Sequence, residues 1–256
     1  MGISDHFKNI TLPSHSSITP NNTYSRTFGE ISRGIKESDD ISYVYNNYGH
    51  RCDDFKQEHN EQHILFAGCS ITLGEGLPYM SNWSGRLYNK LSLEIKTSGY
   101  FNLSFLGGSS ELIISNIYKY IINYGAPDML FLHLPETSRF ISYGKQYDNA
   151  TEKDNESIKK RNRWYVYNMM IGLELFCQYA DIKLLWTSWD KQDSSFYNET
   201  GSFNNFILLN DVDIYLSSKN KHEKSNNYYG IARDIAHPGL MYSDGLANIY
   251  YDEVMK

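Results

Sequence analysis

Basic charge, paired cysteines and long apolar runs are all scarce in this 256-residue chain. Lys and Arg total 24 against 30 Asp and Glu, a net charge of −6 with histidines neutral. A nucleic-acid-binding surface needs concentrated cations to displace counterions, so that class of function is set aside. No apolar stretch approaches the roughly 18–20 residues that span a bilayer. The N-terminal stretch has neither the basic start nor the apolar centre of a secretory leader. Cys52, Cys69 and Cys177 form no CxxC pair and no even framework. That pattern points to a reducing compartment without structural disulfides. What is present, 41% hydrophobic and 21% charged residues, is the composition of a globular protein rather than a disordered one. The length suits one domain plus an appendage.

The appendage is expected at residues 1–45, which are polar, rich in Ser, Thr and Asn near the start, and without periodicity. From residue 46 to 256 the pattern is that of a single domain. His63–Gly68 is a short apolar run ending in glycine, the mark of a buried strand. Trp83, Leu87 and Leu91 then recur every fourth residue behind Ser81 or Asn82 as a cap, which predicts an amphipathic helix. Tyr100–Leu106 reads as a second strand, followed by an apolar helix after Ser109. Met129–Leu134 reads as a third strand and Ile182–Trp189 as a fourth, with a helix over about Trp164–Tyr179 between them. A short strand is expected at Asp213–Leu216 and a last helix over Met241–Met255. Strands alternating with crossover helices predict an α/β fold: a three-layer, doubly wound parallel sheet of the flavodoxin-like kind. Chemistry in such a sheet sits beyond the carboxyl ends of the strands.

Three segments at those ends carry reactive groups. Gly68-Cys69-Ser70-Ile71-Thr72-Leu73-Gly74 places a serine straight after a buried strand, with glycines on both sides. Such a turn exposes a nucleophilic hydroxyl, or else the serine merely caps the next helix. Gly107-Gly108 offers backbone N–H groups at a helix start, able to stabilise an oxyanion or simply to turn the chain. Asp234-Ile235-Ala236-His237-Pro238 sets a carboxylate three residues before an imidazole, close enough to fix its tautomer and leave Nε2 as a base.

Taken in this order, the segments resemble the SGNH (GDSL-type) hydrolases. The match lies in Gly68-Cys69-Ser70 with Thr72 and Gly74, Asn102-Leu103 leading to Gly107-Gly108, and Asp234 with His237-Pro238. Asn46-Asn47-Tyr48-Gly49-His50-Arg51 is similar to a lead-in found before the first block in some bacterial and phage members. The resemblance implies a serine esterase with Ser70 as nucleophile, His237 as base and Asp234 as its orienting acid. The oxyanion hole would combine the N–H groups of Ser70 and Gly107 or Gly108 with Thr137, and neither metal nor cofactor would be needed. The chain departs from the family twice. Cys69 stands where the family has Asp. Pro135-Glu136-Thr137-Ser138-Arg139 stands where it has Gly-x-Asn-Asp, so Thr137 replaces an oxyanion-donating Asn, with Ser138 or Arg139 as other candidate donors. The implied partner is an acylated small molecule or glycan, and the implied location cytoplasmic or virion-associated.

Competing readings divide on particular residues. A catalytically weak or inactive binding module, such as a phage virion component, is favoured by the altered third block. O-acyl transfer would use the same three residues. Cys69 is an alternative nucleophile, His59 and His63 an i, i+4 metal pair lacking further ligands, and His133 a core histidine. Gly74-Glu75-Gly76 lacks the third glycine of a dinucleotide loop. The charged stretch Tyr143–Arg163 is either a substrate rim or a solvated loop, and Trp186 and Trp189 flank the predicted site. Twenty-two tyrosines spread along the chain fit an AT-rich coding genome better than one aromatic glycan surface.

Overall fold

The computed structural model describes residues 23–25, 41–46, 48–142, 145–148, 156–209, 232 and 237–256. The strand expected at Asp213–Leu216 lies outside them. In chain order the elements are β1 (Thr23–Ser25), β2 (Ser42–Val44), β3 (Ile64–Gly68), α1 (Ser70–Leu73), α2 (Trp83–Glu94), β4 (Phe101–Asn102) and α3 (Ser110–Tyr124). They continue with β5 (Met129–Leu134), β6 (Arg139–Ser142), β7 (Lys145–Asp148), α4 (Glu156–Tyr179), β8 (Lys183–Ser188), α5 (Lys191–Thr200) and α6 (Leu240–Met255).

The central sheet has the order β4-β3-β5-β8, and all three of its pairings are parallel. Its first strand in sequence therefore has the second on one side and the third on the other. The chain leaving β3 next joins the sheet as β4 on one side, and the chain leaving β5 next joins it as β8 on the other, which opens a crevice between β3 and β5, the place where doubly wound sheets bind ligands. β3 is buried throughout, as its unbroken apolar run requires of a strand covered on both faces.

Alternation along the strands assigns the two layers of helices. Phe66 stacks on Phe131 at 5.3 Å, and Trp83 of α2 and Tyr250 of α6 cover that face. On the other face Trp186 bonds from its indole N–H to Glu174 of α4 at 2.8 Å. Each large side chain fully buried here contributes about 1.5–3 kcal/mol. Asn82 caps α2 by accepting from Gly85 N–H at 3.1 Å, and Ser109 caps α3 through Leu112 N–H at 3.4 Å.

The elements differ from expectation in several places. The second strand is only Phe101–Asn102: Leu103 N–H still reaches the Phe66 carbonyl at 2.8 Å, but Ser104 N–H is taken by the Asn102 side chain, which also donates to the Thr72 carbonyl. The helix expected from Trp164 begins earlier, at Glu156. The charged stretch also holds the antiparallel pair β6–β7. The polar segment after β8 forms α5, started by Asp190 accepting from Asp193 N–H at 2.9 Å. Ahead of residue 46, β1 and β2 pair antiparallel. Ile41, Tyr43 and Tyr45 pack with Leu73 in a second small core.

Candidate active site

The turn after β3 is built to present one hydroxyl. Gly68 must be glycine: a Cβ there would lie 2.1 Å from Thr72 Oγ1 and 2.9 Å from the His133 carbonyl oxygen. Cys69 is extended, Ser70 opens α1, and Gly74 ends it in the left-handed region at φ 78°. A four-residue helix has little strength of its own, so its carbonyls are held from outside. Asn102 donates to the Thr72 carbonyl at 3.1 Å, with Asn82 on the same oxygen. The Trp83 indole donates to Thr72 Oγ1 at 3.1 Å.

Arg51 holds the other side of the turn. Its guanidinium donates to the carbonyls of Leu73 (3.3 Å), Gly74 (2.9 Å) and Leu77 (3.0 Å). It also lies over the Tyr43 ring at 4.3 Å. Burial pulls its pKa down from the ordinary value, opposed by the neighbouring tyrosines. Asn46 shapes the loop that delivers it, accepting from Tyr48 N–H and His50 N–H at 3.0 and 2.9 Å. The lead-in that carried the family resemblance is thus a clamp on the nucleophile's turn.

His237 Nε2 stands 2.8 Å from Ser70 Oγ, bringing together side chains 167 residues apart in sequence. His237 sits just before α6, and its carbonyl accepts from Ala232 N–H at 3.0 Å. The geometry is that of a hydroxyl whose proton a neutral imidazole can accept. Asp234, the expected orienting acid, lies outside the described residues. A feature not foreseen is Glu75, whose Oε2 lies 3.7 Å from the same His237 Nε2.

Gly107 and Gly108 lie in the loop that leads from β4 to α3. Gly107 has φ 67°, and a Cβ on Gly108 would meet the Phe105 ring at 2.8 Å. Thr137 has another partner than the one expected. Its N–H and its hydroxyl donate to the two carboxylate oxygens of Asp193 at 2.8 and 3.0 Å, so its hydroxyl proton is engaged by that carboxylate. Asp193 also receives Arg163 Nε at 2.7 Å, while burial pushes its carboxyl pKa up. Arg139 pairs with Glu136 at 3.0 Å. The Ser138 hydroxyl is buried and has no hydrogen-bond partner among the described residues. Sequence reasoning missed Asp193, which the Asp-x-x-Asp start of α5 could have exposed, and held Arg163 only as the end of a stretch read as substrate rim or solvated loop.

Beside this loop a cavity of about 250 Å³ opens between the ends of β5 and β8, walled by Thr137, Ser138, Trp189, Gln192, Asp193 and Arg163. Its lining is predominantly polar. Trp186, by contrast, is a core side chain.

The remaining candidates have structural surroundings. The Cys69 thiol is buried, which raises its pKa against the opposing field of Arg139, so the thiolate is disfavoured. His133 is fully buried, with Nε2 2.9 Å from the Tyr242 hydroxyl, and burial lowers its pKa to about 3. His59 stacks on His63 at 3.6 Å, and His63 Nε2 lies 2.8 Å from the Tyr120 hydroxyl. No group of three or more metal-ligating side chains occurs among the described residues, and no described helix is long and apolar enough to cross a membrane.

No protein-family profile matches the sequence, and no curated protein matches it. Solved structures do. The esterase EstA from Pseudoalteromonas sp. aligns at TM-score 0.50 and 15% identity, over 75% of this chain and 96% of its own. TesA aligns at TM-score 0.51 and 14% identity, over 75% of this chain and 98% of its own. The parallel sheet, its strand order and these neighbours together give the chain the fold of the SGNH-type hydrolases.

Proposed function

We propose that the protein is a serine esterase that removes short acyl groups from a polar, sugar-like alcohol. The observation that carries this reading is the 2.8 Å approach of His237 Nε2 to Ser70 Oγ at the crevice of the sheet. His237 takes the Ser70 proton as Oγ attacks the ester carbonyl, then returns it to the leaving alcohol. Water attacks the acyl-enzyme with His237 again as base. Asp234 orients the imidazole from the Nδ1 side. The N–H groups of Ser70 and of Gly107 or Gly108 receive the oxyanion. With the Thr137 hydroxyl engaged by Asp193, Ser138 is the hydroxyl of that loop available to join them. The cavity at Ser138 and Trp189 is lined by neither Ser70 nor His237; its polar walls suit a hydroxylated part of the substrate lying beyond the scissile ester.

A second reading, a weak or inactive binding module, draws on one observation: Thr137, the residue that the resemblance puts in the oxyanion-donating role, gives its N–H and hydroxyl to Asp193. Labelling with a fluorophosphonate separates the two, with Ser70→Ala as control. The esterase reading expects stoichiometric labelling of wild type, none of S70A, and release of acetate from p-nitrophenyl acetate and acetylated sugars. A wild-type protein that is neither labelled nor active on any of these substrates leaves the binding-module reading.

A further inference from the structure

Glu75 occupies a position that the Ser70, His237 and Asp234 chemistry does not use. Its backbone N–H closes on the Ser70 carbonyl at 3.1 Å. This brings its carboxylate back over the turn, with Oε2 3.7 Å from His237 Nε2 and only 15% of the side chain exposed. That separation is too long for a direct hydrogen bond, and Ser70 Oγ already occupies Nε2 at 2.8 Å. An oxygen atom bonded to Nε2 from the solvent side, however, falls within reach of Oε2 as well. A carboxylate has about four acceptor sites, so other partners of Glu75 leave room for one more.

The group that must bond Nε2 in the second half-reaction is the incoming nucleophile. Water carries two O–H bonds. One breaks as its proton passes to His237 Nε2 and the oxygen bonds the acyl carbon. The other stays intact and donates to Glu75. Collapse of the tetrahedral intermediate then breaks the bond from Ser70 Oγ to carbon, and His237 returns its proton to Ser70. An alcohol has a single O–H, which His237 requires; its carbon substituent would face the carboxylate with nothing to donate. We propose that Glu75 positions the deacylating water and biases the acyl-enzyme toward hydrolysis over transfer. This rests on the serine-esterase reading.

The test follows single turnovers of p-nitrophenyl acetate by the full chain as wild type, Glu75→Gln and Glu75→Ala, with and without methanol. Deacylation is expected to slow by about tenfold or more in E75A and by less in E75Q. Acylation should change by less than about threefold, and acetylated Ser70 should accumulate in the mass spectrum. The ratio of methyl acetate to acetate should rise in both variants. A parallel fall of both half-reactions, or an unchanged ratio, overturns the proposal while leaving the esterase reading intact. If E75A does not fold, the ratio in the near-isosteric E75Q decides. A wild-type protein that never forms an acyl-enzyme removes the esterase reading and this role together.

Discussion

Arg51 donates to the carbonyl oxygen of Gly74 at 2.9 Å, from a loop that precedes the nucleophile's strand to the turn that follows it. The same guanidinium holds Leu73 and Leu77. A planar fork with several fixed donors can serve three carbonyls at once, whereas an ammonium on a flexible stem cannot hold the same directions.

Arg51→Lys is therefore expected to lower stability by about 2–4 kcal/mol, the range for disrupting a buried, hydrogen-bonded charge. It should reduce kcat more than it raises KM, since the substrate does not meet Arg51 but the Ser70 turn depends on it. Urea unfolding and steady-state esterase kinetics measure the two effects. A variant with wild-type kcat would show that α1 holds its shape without the clamp.

Thr137 offers a sharper distinction. A lost oxyanion donor costs about 10²–10³ in kcat, whereas a lost bond to a buried carboxylate costs about 1–3 kcal/mol of stability. Because the Thr137 hydroxyl donates to Asp193, Thr137→Val should fall in the second class. The expected outcome is a lowered unfolding midpoint with kcat reduced by less than about tenfold. A hundredfold loss of kcat at unchanged stability would return Thr137 to the oxyanion hole.

Two buried histidines set a pH dependence of stability. Burial, aided by the neighbouring His59, lowers His63 to about 4, and burial lowers His133 to about 3. An unfolded chain has both near 6.5, so below that value it binds more protons than the native state does. Their contribution to stability is fully present above pH 6.5 and declines as pH falls toward the folded values. Together they should remove on the order of 3 kcal/mol between pH 7 and pH 5. Urea midpoints at the two pH values test this, and His63→Gln should weaken the dependence. Equal midpoints for wild type would contradict it.

Much of the site was legible because it is local in sequence. Gly68, Ser70 and Gly74 lie on one short turn, and His237-Pro238 on another, each at the edge of an element marked by its apolar content. What the sequence hid is held together across distance. The Arg51 clamp consists of bonds to backbone oxygens, which no pattern of residue types records. Glu75 was visible only as the middle of a Gly-Glu-Gly that suggested another chemistry. Thr137 was assigned by alignment to a position whose side chain the structure turns to Asp193, a residue on a helix too polar to announce itself by periodicity. The α5 sequence KQDSSFYNET has its apolar weight in Phe196 and Tyr197, which gives no recurring stripe. At the end of β4, Asn102 pairs in the sheet through its backbone while its side chain serves the nucleophile's turn.

The 167 positions that separate His237 from Ser70 also separate two moments in synthesis. The serine turn, β3 and α2 leave the ribosome long before the imidazole that activates the hydroxyl exists. Until α6 follows, Trp83 lacks the Tyr250 ring that stacks on it at 5.0 Å, and one apolar face of the sheet is only partly covered. The nascent chain therefore carries an unactivated nucleophile beside a partly covered aromatic surface. Docking of α6 supplies the covering ring and follows directly on the loop that bears the base, so completion of this side of the core and onset of reactivity coincide.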